Sequence, residues 1–219
     1  MFRNRAEAGR LLAKKLAATS NLPDRLILAL ARGGVPVGFE IAKAISVPLD
    51  VFVVRKLGVP GQEELAMGAI ASGGVRVLYD EVVQGLGISG SEIERIAAQE
   101  QQELERRERL YRHDSPALDV RGRTVILVDD GLATGTTMRA AITALRKQFP
   151  ARLIVAVPVA PPSTVQELKQ EVEDVVCLLM PESFSAISQW YEEFPQTSDE
   201  EIRELLERAA RERATAPKG

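Results

Sequence analysis

Apolar and polar positions along the chain fall into two kinds of block. Short, mostly apolar runs without a helical period predict buried strands: LILALA (26–31), PLDVFVVRK (48–56), RTVILVDD (123–130), RLIVAVPVA (152–160) and DVVCLLM (174–180). Between them lie stretches whose apolar residues recur at helical spacing. Residues 6 to 18 carry Leu11, Leu12 and Leu16 on one face. VPVGFEIAKAIS (35–46) places Pro36 in a first turn, and TTMRAAITALRKQF (136–149) is closed by Pro150. STVQELKQE (163–171) and the tail 199–214 complete the helical set. LGVPGQEELAM (57–67) is turn-rich and predicts a mobile loop. AMGAIASGGVRVLYD (66–80) predicts two short strands around a Ser-Gly-Gly turn.

Residues 91 to 113 predict one long charged helix. Glu103/Arg107, Glu105/Arg109 and Glu108/Arg112 are i,i+4 pairs in the favourable order, and Ile93, Ile96, Leu104 and Tyr111 form a narrow apolar stripe. That pattern predicts a solvated surface helix.

Apolar strands that alternate with helices imply an α/β fold, a doubly wound parallel sheet covered on both faces. The length, 219 residues, suits a single domain over 1–219. Ligands in such sheets bind beyond the carboxyl ends of the strands. Three stretches fall at those ends: ARGG (31–34), the pair Arg55 and Lys56, and DDGLATGTT (129–137). One shared site is expected.

Composition narrows the partners. Apolar residues make up 45 % and the formal net charge is -3, so nothing pulls the chain as a whole toward nucleic acid or an anionic membrane. No apolar run is long enough to span a bilayer, the basic N-terminus lacks the features of a secretion signal, and a cytoplasmic location is expected. The single cysteine, Cys177, supports neither a disulfide framework nor a thiolate metal site and predicts a buried, inert thiol.

The stretch ILVDDGLATGTT (126–137) combines opposite chemistries. Gly131 and Gly135 permit tight turning, Thr134, Thr136 and Thr137 add hydroxyl donors, and a helix starts here with unpaired N–H groups. That end is an anion site suited to a monophosphate; the triphosphate pattern GxxxxGK[ST] is absent. Asp129 and Asp130 repel phosphate, but adjacent carboxylates accept hydrogen bonds from a vicinal diol and can hold Mg²⁺, directly or through water. A ribose 5-phosphate satisfies both halves. The plainer reading is a helix cap followed by an ordinary turn.

VILVDDGLATGTT resembles the phosphoribosyl pyrophosphate (PRPP) signature of the type I phosphoribosyltransferases, and the likeness in element order extends from about residue 6 to 200. The resemblance implies a core over about 6–180, a small C-terminal hood over about 181–219, and a homodimer. It implies that Asp129 and Asp130 hold the ribose hydroxyls and that Ala133, Thr134, Gly135, Thr136 and Thr137 wrap the 5-phosphate. ARGG is similar to the family's pyrophosphate loop, often built on a cis peptide, with Arg32 supplying charge and Gly33 and Gly34 close approach. Arg55 and Lys56 resemble the basic pair that meets the diphosphate, and LGVPGQEELAM takes the place of the flexible catalytic loop. The implied activity is Mg²⁺-dependent transfer of a 5-phosphoribosyl group to a small nitrogen acceptor with release of pyrophosphate, as in nucleotide metabolism and base salvage. Where 6-oxopurine members carry an acidic residue, this sequence has Ala133, which points away from hypoxanthine and guanine. PRPP synthetases share a like motif but use two such domains.

Other readings stay in view. A PRPP-binding regulator without transfer activity would keep the same loop, and a hydrolase would use water as acceptor. GLGISG (85–90) matches GxGxxG but follows no buried strand, so a glycine-rich turn is the better reading. His113 reads as a helix C-terminal cation rather than a catalytic base. Phe184, Trp190, Tyr191 and Phe194 read first as the core of the hood, with at least one of them lining the site.

Overall fold

The computed structural model describes residues 1–19, 21–112, 116–117 and 119–215; His113 lies outside them. The elements run α1 (Arg5–Leu16), β1 (Arg25–Leu30), α2 (Gly34–Ile45), β2 (Leu49–Phe52), β3 (Val54–Val59), β4 (Gln62–Ala71), β5 (Val75–Leu78), α3 (Asp80–Gly85), α4 (Gly90–Arg112), β6 (Thr124–Val128), α5 (Thr136–Arg146), β7 (Arg152–Val159), α6 (Pro162–Leu168), β8 (Asp174–Leu179) and α7 (Asp199–Thr215). Single 3₁₀ turns occupy Ala17–Thr19 and Ile187–Trp190.

Strands β2, β1, β6, β7 and β8 lie side by side in that order, all parallel. Strand periodicity explains why β1 is apolar throughout. Leu26, Leu28 and Leu30 pack with Met138, Ala141 and Leu145 of α5. Ile27 packs on the other face with Leu12 and Leu16 of α1 and Ile41 of α2. The sheet is therefore the doubly wound α/β layer that the alternation of strands and helices predicts. Strand order reverses direction at β1, so the loops leaving β1 and β6 flank the switch-point crevice.

The run 48–56 is not one strand. Phe52 is opposite Leu30, the last residue of β1, and beyond it the parallel ladder has no partner. The Val53 N–H donates instead to Ser72 Oγ at 2.9 Å and its carbonyl accepts from the Ser72 N–H at 2.9 Å. β3 then enters a second, antiparallel sheet in the order β3-β4-β5. The stretch 57–67, expected to be a mobile loop, is instead the β3–β4 hairpin, with Val59 opposite Gln62. Pro60 and Gly61, the latter at φ 75°, supply the turn, as a Pro-Gly pair does in a tight hairpin.

Helix α4 carries all three expected ion pairs, Glu103–Arg107 at 2.8 Å, Glu105–Arg109 at 3.8 Å and Glu108–Arg112 at 2.9 Å. Its apolar stripe is more than a surface feature: Ile93, Ala97, Leu104 and Tyr111 are buried with Leu57 and Met67 of the hairpin and Ile202 of α7. The region 181–219 thus divides between two environments. Phe184, Ile187, Trp190, Tyr191 and Phe194 gather with Phe2 of the N-terminus, whereas α7 joins the cluster around α4. Among the described residues no helix is long and apolar enough to cross a membrane.

Candidate functional site

The loop after β6 forms from residues whose backbone cannot continue the sheet. Gly135 adopts φ 71°, a left-handed turn that starts α5, and no side chain caps the helix. The first-turn N–H groups of α5 therefore remain available to an anion. The back of the loop is tied down: the Leu132 N–H donates to the Val159 carbonyl at 2.9 Å and Thr164 Oγ1 to the Ala133 carbonyl at 3.1 Å. Thr134 and Thr136 share a hydroxyl hydrogen bond of 3.0 Å. Ala133 to Thr137 line a cavity of about 190 Å³ together with Asp129, Lys56 and Ile187.

The two acids differ in their surroundings. Asp129 is half-buried at the cavity, and its Oδ1 accepts from the Asp130 N–H at 2.8 Å. Asp130 is buried; its Oδ2 accepts from Arg5 Nε at 2.8 Å, and its carbonyl accepts from the Tyr191 hydroxyl at 2.6 Å. Burial raises both carboxyls above the usual range. For Asp129 the neighbouring carboxylate pushes in the same direction, whereas the Arg5 guanidinium partly draws Asp130 back. Burial also raises the Tyr191 phenol, which suits a donor that stays protonated.

ARGG packs against this pair. The Ala31–Arg32 peptide is cis. An added Cβ at Gly33 would stand 2.1 Å from Asp130 Oδ2, and one at Gly34 would stand 2.6 Å from the Val128 carbonyl oxygen. Only glycine permits this approach between the two loops. Arg32 does not share it: its guanidinium is 3.9 Å from Asp199 Oδ1 at the start of α7, the same oxygen that accepts from the Tyr111 hydroxyl at 2.8 Å.

The adjacent Arg55 and Lys56 separate, as neighbours on a strand must. Lys56 lines the cavity with Asp129 and the threonine loop. Arg55 turns to α4, where Nε meets Glu100 Oε2 at 2.7 Å. The structure thus brings together Asp129, Asp130, Gly33, Gly34, Lys56 and the loop 133–137; it directs Arg32 and Arg55 to acidic partners on α7 and α4.

Three residues enter that sequence reasoning did not place. Ile187 closes the cavity beside Gly131, where an added Cβ would meet its Cγ2 at 2.7 Å. Tyr191 belongs to the hood aromatics, at least one of which was expected to line the site; it reaches Asp130 through its hydroxyl rather than standing in the cavity wall. Arg5 gave no signal, because one arginine at the start of an amphipathic helix reads as solvated. Cys177 is half-buried on β8 rather than fully buried as expected, and burial pushes its thiol up to about 11.

Known proteins are similar to the chain over most of its length. A protein of Mycobacterium tuberculosis (strain ATCC 25618 / H37Rv), provisionally named a phosphoribosyl transferase, is 44 % identical over 216 residues, 99 % of this chain. The chain spans about half, 48 %, of that relative's length. The crystal structure of TT1426 from Thermus thermophilus is similar over 94 % of this chain and 97 % of its own, with 41 % identity and a TM-score of 0.84. The family model described as the phosphoribosyl transferase domain matches residues 3–191, and the chain belongs to that family.

Proposed function

We propose that the protein transfers the 5-phosphoribosyl group of PRPP to a small nitrogen acceptor and releases pyrophosphate. The observation that carries this reading is the cavity at the start of α5, where uncapped helix N–H groups and threonine hydroxyls face the same space as the Asp129 carboxylate and the Lys56 ammonium. A phosphate fits the first set, sugar hydroxyls the carboxylates, and a leaving diphosphate the ammonium.

Loop 133–137 holds the 5-phosphate in this reading, and Asp129 and Asp130 take the ribose hydroxyls. Gly33 and Gly34 offer backbone approach to the pyrophosphate. Arg32 contributes its charge once it leaves Asp199, which its long contact of 3.9 Å allows. In transfer the bond from C1′ to the pyrophosphate oxygen breaks and one from C1′ to the acceptor nitrogen forms. The protein's part is to orient the two, neutralise the leaving group and exclude water.

Mg²⁺ fits as an ion that travels with the substrate. Among the described residues no group of three or more His, Cys, Asp or Glu side chains could hold a metal, and one of the two available acids already holds Arg5. Mg²⁺ often takes only one or two carboxylates, keeps several waters and completes its shell with substrate phosphates. Asp129 and Asp130 would meet it directly or through water, and bound there it would neutralise charge on the diphosphate.

The test is PRPP-dependent pyrophosphate release with Mg²⁺ against a panel of bases and small amines. Acceptor-dependent release supports transfer. Release without an acceptor points to hydrolysis, binding without release to a PRPP-responsive regulator, and no binding at millimolar PRPP sinks the reading.

A further inference from the structure

Among the described residues, Arg5 is the one basic side chain that the structure presses into the acid pair, and it comes from the far end of the chain. Its residue is 9 % exposed. Nε donates to Asp130 Oδ2 at 2.8 Å, while Nη1 of the same guanidinium donates to the Pro195 carbonyl at 2.6 Å. The group also lies over the Phe194 ring, 3.8 Å from its centroid. One planar fork therefore joins the loop after β6 to the segment that carries the hood aromatics.

The neighbouring contacts make that segment a unit. The Phe2 N–H donates to the Trp190 carbonyl at 2.7 Å, and the Glu192 and Glu193 N–H groups donate to the Phe2 and Arg3 carbonyls, each at 2.9 Å. The Phe2 and Tyr191 rings are 5.4 Å apart, and Trp190 stacks on Phe184. The N-terminus thus clasps residues 184–195, and that clasp meets the cavity wall at Ile187 and reaches Asp130, the neighbour of the cavity-lining Asp129, through Arg5 and Tyr191.

We propose that Arg5 is a positioning residue that couples occupancy of the sugar-phosphate loop to the hood, by holding Asp130 and the Pro195 carbonyl in a single guanidinium fork. Asp129 then faces the ligand, and Asp130 transmits. The carboxylate of Asp130 has lone pairs left for a sugar hydroxyl while it accepts from Arg5, so the donor substrate need not displace the arginine. Occupancy of the loop after β6 is thereby passed to the hood. This inference rests on the reading of PRPP as the ligand.

Trp190 is the only tryptophan in the chain, so fluorescence excited beyond the absorption band of the three tyrosines reports the hood alone. In the wild type, saturating PRPP with Mg²⁺ is expected to change Trp190 emission and its quenching by acrylamide. Arg5→Met is expected to bind PRPP at least about tenfold more weakly, the size of one lost charge-assisted hydrogen bond. At saturation its Trp190 signal should not respond. Arg5→Lys keeps the charge without the fork; it should recover part of the affinity and none of the response. Tyr191→Phe, which keeps the ring packing, serves as the second variant should Arg5→Met fail to fold, and it should weaken the response. The coupling is overturned if the wild type binds PRPP with no change at Trp190, or if Arg5→Met or Arg5→Lys responds as the wild type does. A wild type that gives no PRPP heat in calorimetry overturns the ligand instead. Acrylamide quenching of ligand-free Arg5→Met then decides whether the fork tethers the hood: higher access supports the tether, and equal access refutes it.

Discussion

Gly33 and Asp130 are in contact across the switch-point crevice: a Cβ added at Gly33 would stand 2.1 Å from Asp130 Oδ2. The φ of Gly33 is -63°, which alanine adopts freely, so Gly33→Ala tests the contact and not the backbone. Forcing a methyl against a buried carboxylate costs about 1–3 kcal/mol. The variant is expected to melt several degrees lower and to bind PRPP at least about tenfold more weakly in calorimetry. An unchanged affinity would separate the ARGG loop from the acid pair.

Asp129 is held in a way that costs stability. Burial and the adjacent carboxylate raise it well above its ordinary value of 3.8. The folded protein therefore binds a proton there more readily than the unfolded chain does. The stability this contributes is fully present below 3.8 and is lost as pH rises through the raised folded value. Asparagine keeps an oxygen for the Asp130 N–H but carries no charge. In ligand-free protein with chelator present, Asp129→Asn is expected to melt about 2–4 °C above wild type at pH 7, the equivalent of ~1 kcal/mol in a domain of this size. The gap should narrow as pH falls toward 4. The same variant should lose PRPP binding. A variant that melts below wild type at pH 7 would refute the electrostatic account.

The pair at the start of β3 separates by role. Lys56 faces the cavity, while Arg55 bonds Glu100. A charge-assisted hydrogen bond to a diphosphate is worth about 1.5–3 kcal/mol, so Lys56→Ala is expected to weaken PRPP binding by about 10–100-fold. Arg55 and Glu100 are each about a quarter exposed, which limits their pair to about 1 kcal/mol. Arg55→Ala should lower the melting temperature slightly and leave PRPP affinity within about threefold. The reverse order of effects would return Arg55 to the diphosphate.

How much of this was legible depends on what each feature needs. The parallel sheet was readable because the burial of both faces leaves unbroken apolar strands such as TVILV (124–128). DDGLATGTT was readable because a turn and a helix start must use glycine and hydroxyl residues close together. The break at Val53 was not, since it follows from where β1 stops and from Ser72, 19 residues further on. Nor was the split of Arg55 from Lys56, which requires knowing that β3 leaves the first sheet. Arg5 was least legible of all, because its partner Asp130 is 125 residues away and no local pattern links the two.

The loop before α5 offers a test that needs no diphosphate. Gly135 sits at φ 71°, and an added Cβ would lie 3.0 Å from Thr164 Cγ2. Thr164 in turn donates to the Ala133 carbonyl, so strain at 135 is passed to the loop that lines the cavity. A non-glycine residue in the left-handed region costs about 1–2 kcal/mol. Gly135→Ala should therefore melt a few degrees lower, whatever the loop binds. Ribose 5-phosphate carries the phosphate and the diol but no leaving group, so its affinity reads the loop and the acids together. If the uncapped α5 N-terminus is the phosphate site, Gly135→Ala should weaken ribose 5-phosphate at least about tenfold. Asp129→Asn should weaken it too, through the other end of the same molecule. A Gly135→Ala protein that melts lower yet binds ribose 5-phosphate as the wild type does would reduce the loop to an ordinary turn between β6 and α5.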